Sequence, residues 1–184
     1  AAPIITDWDA YESKLRALMG YDNKMIRRFT EMAVQNPKRV VFAEANHANM
    51  LSAAVTAYQE GICFPILLGN TDYIHSVAEQ NGLNLDGLEI VNLRSGEETE
   101  RREKYAKILA QKRQREGITL DEAREKMFDR NYFGMMMVEV GDADAFITGT
   151  YTKYTETIQI AKDVIGIREG HKHFGAMHIM NTKK

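Results

Sequence analysis

A turn of small residues directly follows a short apolar run, AFI, that predicts a β-strand. The turn is Thr148, Gly149 and Thr150, and Lys153 and Tyr154 come shortly after it. Backbone N–H groups in such a turn can approach an acyl or phosphate oxygen, and a lysine can meet a phosphate as a point charge. A plain strand-to-helix turn and the surface start of a helix are the alternatives. The pattern therefore predicts a candidate binding site for an acyl or phosphate group.

A second polar residue, Glu44, stands at the end of another apolar run, RVVFAEA. A carboxylate at a strand end has to face a cleft or be paired, because an isolated charge is rarely buried. His47 follows it and is expected at the start of the next helix. Cys63 is the only cysteine, so an intramolecular disulfide and a cysteine-based zinc cluster are excluded, which fits a reducing cytoplasm. We expect Cys63 to be buried and inert.

Histidines and methionines each suggest a metal site, and in both cases we favour another interpretation. In HKHFGAMH, His171 and His173 would face one side of a strand, but neither these nor His178 has an acidic residue or a cysteine nearby. We therefore predict no metal on this chain. The methionines are expected to fill the core; they are Met50, Met127, Met135, Met136, Met137, Met177 and Met180.

The order of apolar runs predicts the fold class. Strands are expected at RVVFAEA, FPILLGN, LEIVNL and AFITG, and amphipathic runs of about 10–15 residues or more separate them. This alternation is typical of parallel βαβ units. The sequence predicts an α/β fold with an open, mostly parallel, doubly wound sheet and flanking helices. In such sheets, ligands bind at the carboxyl ends of the strands.

Helix starts and ends are marked by capping signals. Thr71 or Asp72 is expected near the N-cap of TDYIHSVAEQ, and Thr119 with Glu122 predicts a capping box for TLDEAREKMF. The charged run 95–117 predicts a long helix, acidic at its start and basic at its end. An apolar helix is expected over 132–140. Residues 1–20 are interpreted as an N-terminal helix or connector, and 21–184 as one lobe.

Composition excludes several classes of protein. The 184 residues include 24 basic and 26 acidic side chains, so the formal net charge of -2 gives no positive field for nucleic acid or for a membrane surface. No run of about 18 apolar residues and no secretory leader is present, which favours a cytoplasmic protein. The chain starts with Ala1, so we expect either a processed chain or a piece of a longer one.

Several short sequence motifs occur together in a characteristic order. RVVFAEA, ICFPILLGN, QKRQREGITLDEA, RNYFGMMMVEVGDADAFITG and YTETIQIAKDVIGIREG together resemble the phosphate acetyltransferase (phosphotransacetylase) family. More narrowly, NPKRVVFAEANHANML, GDADAFITGTYTKY and VIGIREGHKHFGAMHIM are similar to the phosphotransacetylase-like C-terminal region of bacterial NADP-dependent malic enzymes. The resemblance extends over nearly the whole chain from about Tyr21.

This resemblance implies two α/β lobes with a cleft between them for acetyl-CoA or a related CoA thioester. The chain is similar to the first lobe, and the second lobe is expected to be largely absent. The resemblance implies a family arginine, in a motif at the end of a helix, at Arg113. The position of the family's second arginine is occupied by Gln159, and the family's Ser-Gly corresponds to Thr148-Gly149. A neutral amide cannot make the bidentate contact of a guanidinium, so transferase activity is expected to be lost.

Three functions follow as hypotheses. The first is a regulatory domain that binds acetyl-CoA without turnover and serves a malic enzyme oxidoreductase domain in the same polypeptide. The second is an active phosphate acetyltransferase, and the third is an oligomerisation module that binds no small molecule. A homo-oligomer is expected, while nucleic acid and membrane partners are not. The absence of GxGxxG and of a carboxylate cluster for a metal argues that malate oxidation lies outside this chain.

Overall fold

Four parallel strands form one sheet in the computed structural model, which describes residues 7–9, 11 and 24–177. The strands are β1 (Lys38–Phe42), β2 (Cys63–Leu68), β3 (Glu89–Val91) and β4 (Ala145–Ile147), and their order across the sheet is β3-β2-β1-β4. Val40 of β1 pairs with Pro65 on one side and with Ala145 on the other. The predicted α/β fold with a parallel sheet is confirmed. β1 ends at Phe42, earlier than expected, because residues 43–46 form a turn.

Seven helices lie within residues 24–177. They are α1 (Lys24–Gln35), α2 (Ala48–Gln59), α3 (Thr71–Gln80), α4 (Thr99–Arg113), α5 (Leu120–Lys126), α6 (Arg130–Glu139) and α7 (Tyr154–Val164). A short 3-10 turn, Gln114–Glu116, extends α4, and Gly117 ends it with a φ of 89°. Most of the predicted N-terminal helix or connector, 1–20, lies outside the described residues.

Each face of the sheet carries its own hydrophobic core. Val41 and Ile66 point to the side covered by α4, α5, α6 and α7, whereas Val40 and Leu67 point to the side covered by α2 and α3. Successive strand residues alternate between the two cores because their side chains project to opposite faces. Both faces are covered, as expected for a doubly wound sheet. Cys63 is buried in the second core, and burial raises the pKa of its thiol.

Helix caps agree with the sequence in one case and differ in another. Thr119 and Glu122 form the predicted capping box at the start of α5. The N-cap of α3 is Asn70, whose Oδ1 accepts from the backbone N–H of Tyr73 at 2.9 Å. Thr71 and Asp72, which were expected near the N-cap, are the first two residues of α3 and follow this cap directly. The capping side chain itself comes from Asn70, since asparagine caps a helix as well as threonine or aspartate does.

Helix α6 packs closely against the sheet through its methionine run and a glycine. Met135, Met136 and Met137 are all buried, which confirms the predicted role of these three side chains in the core. A Cβ on Gly134 would collide with the ring of Phe146 and lie 3.1 Å from Leu68 Cδ1. The absence of a side chain at this position allows the helix to approach β2 and β4.

The remaining predicted core methionines differ in their surroundings. Met127 is fully buried, and Met50 is half-buried against the second core. Met177 is 83% exposed, so the prediction that it fills the core was wrong: it lies in a loop that packs against neither core. Met180 lies outside the described residues.

Helices in the described ranges are too short or too polar to span a membrane.

Candidate functional site

The candidate site lies where β1 and β4 end side by side. The backbone N–H of Ala43 donates to the carbonyl of Ile147 at 3.1 Å, so the chain segments that follow the two strands leave the sheet together. Glu44 belongs to the first segment and Thr148 to the second. Parallel pairing therefore brings together two groups of predicted site residues that are about a hundred positions apart in sequence.

Glu44 organises the loop that follows β4. Its side chain is buried, with 3% of the residue exposed, and it accepts bonds from the backbone N–H groups of Thr150 (3.0 Å) and Tyr151 (3.1 Å) and from Thr152 Oγ1 (3.0 Å). A buried carboxylate requires such donors to offset its lost hydration. Of the two interpretations, facing a cleft or being paired, the structure supports pairing. The N–H of Thr150 is therefore occupied by the protein itself.

Thr148 and Gly149 form the start of this loop. The hydroxyl of Thr148 lies 2.9 Å from Oδ1 of Asn131, a buried side chain in α6, and donates to it. Gly149 has a φ of 106°, a conformation that favours glycine, and a Cβ there would meet nothing within 4 Å. Asn131 was missed as a site residue. Its signal was a polar side chain within the otherwise apolar run NYFGMMM.

An aromatic pair closes the same loop from the β1 side. The rings of His47 and Tyr151 stack with centroids 3.5 Å apart and planes 20° apart. His47 occupies the N-cap position of α2, as expected, but its side chain makes no capping hydrogen bond. The contact with Tyr151 could not be read from sequence spacing, because it depends on the pairing of β1 with β4.

A cavity of about 570 Å³ adjoins Thr148 and Gly149. Its walls combine apolar and hydroxyl side chains with one glycine; the lining residues are Met135, Phe146, Ile147, Thr148, Gly149, Tyr154, Thr157 and Ile158. Tyr154 is 70% exposed and stands at the start of α7. Lys153 does not line the cavity, and its ammonium lies 3.6 Å from the carboxylate of Glu156. The predicted site is thus divided, with Thr148, Gly149 and Tyr154 at the cavity and Lys153 outside it.

Arg113 binds the carboxyl end of α7. Its Nε donates to the carbonyl of Asp163 and its Nη2 to the carbonyl of Lys162, both at 2.6 Å, while Nη1 pairs with Glu116 at 2.6 Å. A cation at this end of a helix is favoured by the helix dipole and satisfies carbonyls that lack helical partners. Only 15% of the side chain is exposed, so Arg113 is not a solvated surface residue. Arg113 is not among the residues that line the cavity.

Gln159 lies on the same helix as the residues that Arg113 holds. Its amide Nε2 donates to Asp163 Oδ1 at 2.9 Å on the exposed side of α7. The other oxygen of Asp163 accepts from the hydroxyl of Tyr132 at 2.6 Å. Burial and this bond to Asp163 raise the pKa of Tyr132. Gln159 therefore takes part in a polar network at the end of α7 and does not line the cavity.

Residues 171–177, the described part of the histidine-rich segment, have no strand geometry. His171 and His173 are exposed in a loop, and His171 Nδ1 lies 3.2 Å from the carbonyl of Glu169. His178 lies outside the described residues. Across 7–9, 11 and 24–177, no cluster of three histidine, cysteine, aspartate or glutamate side chains is arranged to hold a metal ion.

Two solved phosphotransacetylases have a fold similar to that of this chain. The chain aligns with a phosphotransacetylase from Streptococcus pyogenes at a TM-score of 0.73 and 23% identity, over 83% of this chain and 45% of that one. It aligns with the EutD phosphotransacetylase from Staphylococcus aureus at a TM-score of 0.70 and 23% identity, over 81% and 44%. At this identity, the likeness establishes the fold.

The sequence is similar to enzymes of two kinds. An NADP-dependent malic enzyme from Salmonella typhimurium is 33% identical over 180 residues, which is 96% of this chain and 23% of that enzyme. A phosphate acetyltransferase from Thermoanaerobacterium thermosaccharolyticum is 34% identical over 159 residues, or 86% of this chain and 47% of that enzyme. The chain thus spans between about a fifth and a half of these relatives. Its residues 24–184 match the family described as "Phosphate acetyl/butaryl transferase", and this chain belongs to that family.

Proposed function

We propose that this chain is the phosphotransacetylase-like domain of an NADP-dependent malic enzyme and that it binds acetyl-CoA or a related CoA thioester without transferring the acyl group. The observation that supports this most is the lining of the cavity beside Thr148 and Gly149, which contains no charged side chain. An apolar wall with a few hydroxyl groups suits an acyl group and a thioester arm, which are uncharged.

Acyl transfer to phosphate makes a different demand. Cations have to hold a multiply charged phosphate and the oxyanion that develops during the reaction. At the two positions where the resemblance places arginines, Gln159 is neutral and bonded to Asp163, and each nitrogen of the Arg113 guanidinium already donates to a protein oxygen. The arrangement therefore supports binding without turnover. An active phosphate acetyltransferase is the alternative that an assay for acetyl phosphate tests.

Helix α7 offers a route from the cavity to the rest of the molecule. Tyr154, its first residue, lines the cavity, while the carbonyls near its other end are held by Arg113. A ligand that shifts the position of Tyr154 would act on a helix that is fixed at its far end. Regulation requires that the ligand bind two states of the protein with different affinity. We assign the NADP-dependent oxidation of malate to the partner domain of the same polypeptide, which the malic enzyme relatives suggest.

The test is calorimetric titration of acetyl-CoA into the full-length protein that carries this chain, together with an assay for acetyl phosphate. We expect binding without acetyl phosphate, and binding that weakens about tenfold in Tyr154→Ala because an exposed aromatic contact is lost. Thr148→Val should also weaken binding. Thr155→Val is the matched control, because Thr155 is exposed and does not line the cavity. The absence of heat at millimolar ligand, or steady production of acetyl phosphate, would contradict the proposal.

Assembly is a second candidate function, favoured by α1. Four large apolar side chains of this helix are exposed, of which Phe29 at 47% and Met32 at 58% are the most exposed, and no residue whose burial is described on α1 is buried. Exposed apolar patches often mark association surfaces. Light scattering on Met32→Glu tests this function: a smaller oligomer with intact acetyl-CoA binding would separate assembly from ligand binding, and an unchanged mass would argue against α1 as the interface.

A further inference from the structure

A second cavity, of about 780 Å³, opens at the carboxyl edge of β2 and β3. Asn70 follows β2, Asn92 and Arg94 follow β3, and Arg130 is the first residue of α6. None of its lining residues is shared with the cavity beside Thr148. The two cavities therefore occupy different parts of the same edge of the sheet.

Three asparagine side chains in this cavity have their orientation fixed by the protein. Oδ1 of Asn46 accepts from Arg130 Nη1 at 2.6 Å, Oδ1 of Asn70 accepts from a backbone N–H at 2.9 Å, and Oδ1 of Asn92 accepts from the backbone N–H of Arg94 at 3.2 Å. Because every partner is an N–H donor, each amide must direct its oxygen to the protein and keep its NH₂ group for another acceptor. Within the described ranges, no protein acceptor is bonded to any of these three NH₂ groups.

The charged side chains that line the cavity also favour an acceptor of hydrogen bonds. Arg94 is exposed, and its guanidinium makes no hydrogen bond or ion pair with a described residue; Arg130 is half-buried and uses only Nη1, for Asn46. The lining includes one carboxylate, Asp129, whose Oδ1 accepts from the backbone N–H groups of Asn131 and Tyr132 as the N-cap of α6. The cavity thus has two cations and three amide donors against one carboxylate, of which Oδ1 caps α6. This excess of donors favours the oxygens of an anion.

Size and an aromatic side chain narrow the class of anion. A bare phosphate would fill a small part of about 780 Å³, which is in the range of cavities for larger small molecules. Tyr73 lines the cavity with 54% of its surface exposed and presents a ring on which a planar group can stack. We propose that this cavity binds a nucleotide, with its phosphates on Arg94, Arg130 and the asparagine amides and its base on Tyr73. This site is separate from the proposed thioester site and does not depend on it.

The experiment compares three probes by calorimetric titration into the full-length protein: ADP, inorganic pyrophosphate and adenosine. We expect ADP to bind, pyrophosphate to bind more weakly, and adenosine to bind at least about tenfold more weakly than ADP, because charge-assisted hydrogen bonds are lost. Arg94→Gln and Arg130→Gln should each lower the affinity for ADP by about tenfold or more. Tyr73→Ala should lower the affinity for ADP and leave the affinity for pyrophosphate unchanged. Melting curves check folding, and Arg94→Gln, at an exposed position, tests the proposal even if Arg130→Gln fails to fold.

Arg115→Gln is the matched control, because this substitution removes the same positive charge from an exposed residue that does not line the cavity. An equal loss of ADP affinity in this control would indicate non-specific attraction and overturn the proposal. Equal binding of adenosine and ADP would overturn it as well. A loss of ADP affinity in Thr148→Val as large as that in Arg94→Gln would place ADP at the thioester site and refute a separate one. A failure of acetyl-CoA to bind would contradict the proposed function alone.

Discussion

Replacement of Glu44 by glutamine tests the central contact of the candidate site. The carboxylate accepts three hydrogen bonds at 3.0–3.1 Å from Thr150, Tyr151 and Thr152 in a position where only 3% of the residue is exposed. In Glu44→Gln, one oxygen becomes an NH₂ group, which faces donors and leaves at least one N–H without an acceptor. Bonds to a charged acceptor contribute about 1.5–3 kcal/mol each, and an unpaired buried donor costs about 1–3 kcal/mol.

These contributions are not additive, so we expect Glu44→Gln to lower the free energy of unfolding by about 2–4 kcal/mol. For a chain of this size, such a loss lowers Tm by about 5–15 °C. The measurement is urea unfolding, in which the midpoint should fall while the m-value is unchanged. Glu79→Gln is the matched control: Glu79 is exposed, and its side chain makes no hydrogen bond or ion pair within the described ranges. A loss below about 0.5 kcal/mol, the range of ordinary surface substitutions, would refute the account of Glu44 as the organiser of the loop.

Further predictions concern packing and titration. Gly134→Ala should lower stability by about 1–3 kcal/mol in urea unfolding because its Cβ collides with Phe146, whereas Gly96→Ala, where a Cβ meets nothing, should not; equal effects would contradict the packing argument. The hydrogen bond from Arg124 lowers the pKa of Glu103 to about 2, so the stabilising contribution of this carboxylate is present above its ordinary value of 4.5 and is lost as the pH falls towards 2. NMR titration should find Glu103 ionised at about pH 3.5, and an Arg124→Gln variant should raise its pKa towards the ordinary value, with Lys107 still lowering it. Burial and the bond to Asp142 raise the pKa of Tyr105, so the stabilising contribution of this side chain is complete below its ordinary pKa of 10.0 and is lost as the pH rises. Tyr105→Phe should therefore reduce the fall in stability at alkaline pH. An unchanged pH profile of stability would count against this prediction.

Local patterns in the sequence were sufficient for most of the fold. The alternation of strand and helix runs predicts the parallel sheet, and the Thr119–Glu122 spacing predicts a cap that the structure contains. The partners of Glu44 and Arg113 could not be predicted in this way. Glu44 meets a loop more than a hundred residues away, and Arg113 meets carbonyls about fifty residues away. Contacts of this kind depend on which strands become neighbours, and residue type alone does not specify that.

The asparagine amides of the second cavity were missed for a related reason. Asn70 and Asn92 carry local signals for a cap and a turn, and both form them. The sequence does not indicate that these bonds occupy the amide oxygens, that the NH₂ groups keep no protein acceptor among the described residues, or that both asparagines line one cavity. Met177 is the opposite case, in which an apolar residue type predicted burial that the surrounding loop does not supply.

The pairing of β1 with β4 also bears on the rate at which this chain folds and unfolds. The loop at Thr150 acquires its anchor, Glu44, only after two strands separated by about a hundred residues have met. Contacts that close so long a loop are costly in entropy, and we therefore expect this one to form after the transition state. A ligand that requires this loop would then leave the refolding rate nearly unchanged and slow the unfolding rate. Its occupancy would appear chiefly as a longer lifetime of the folded state.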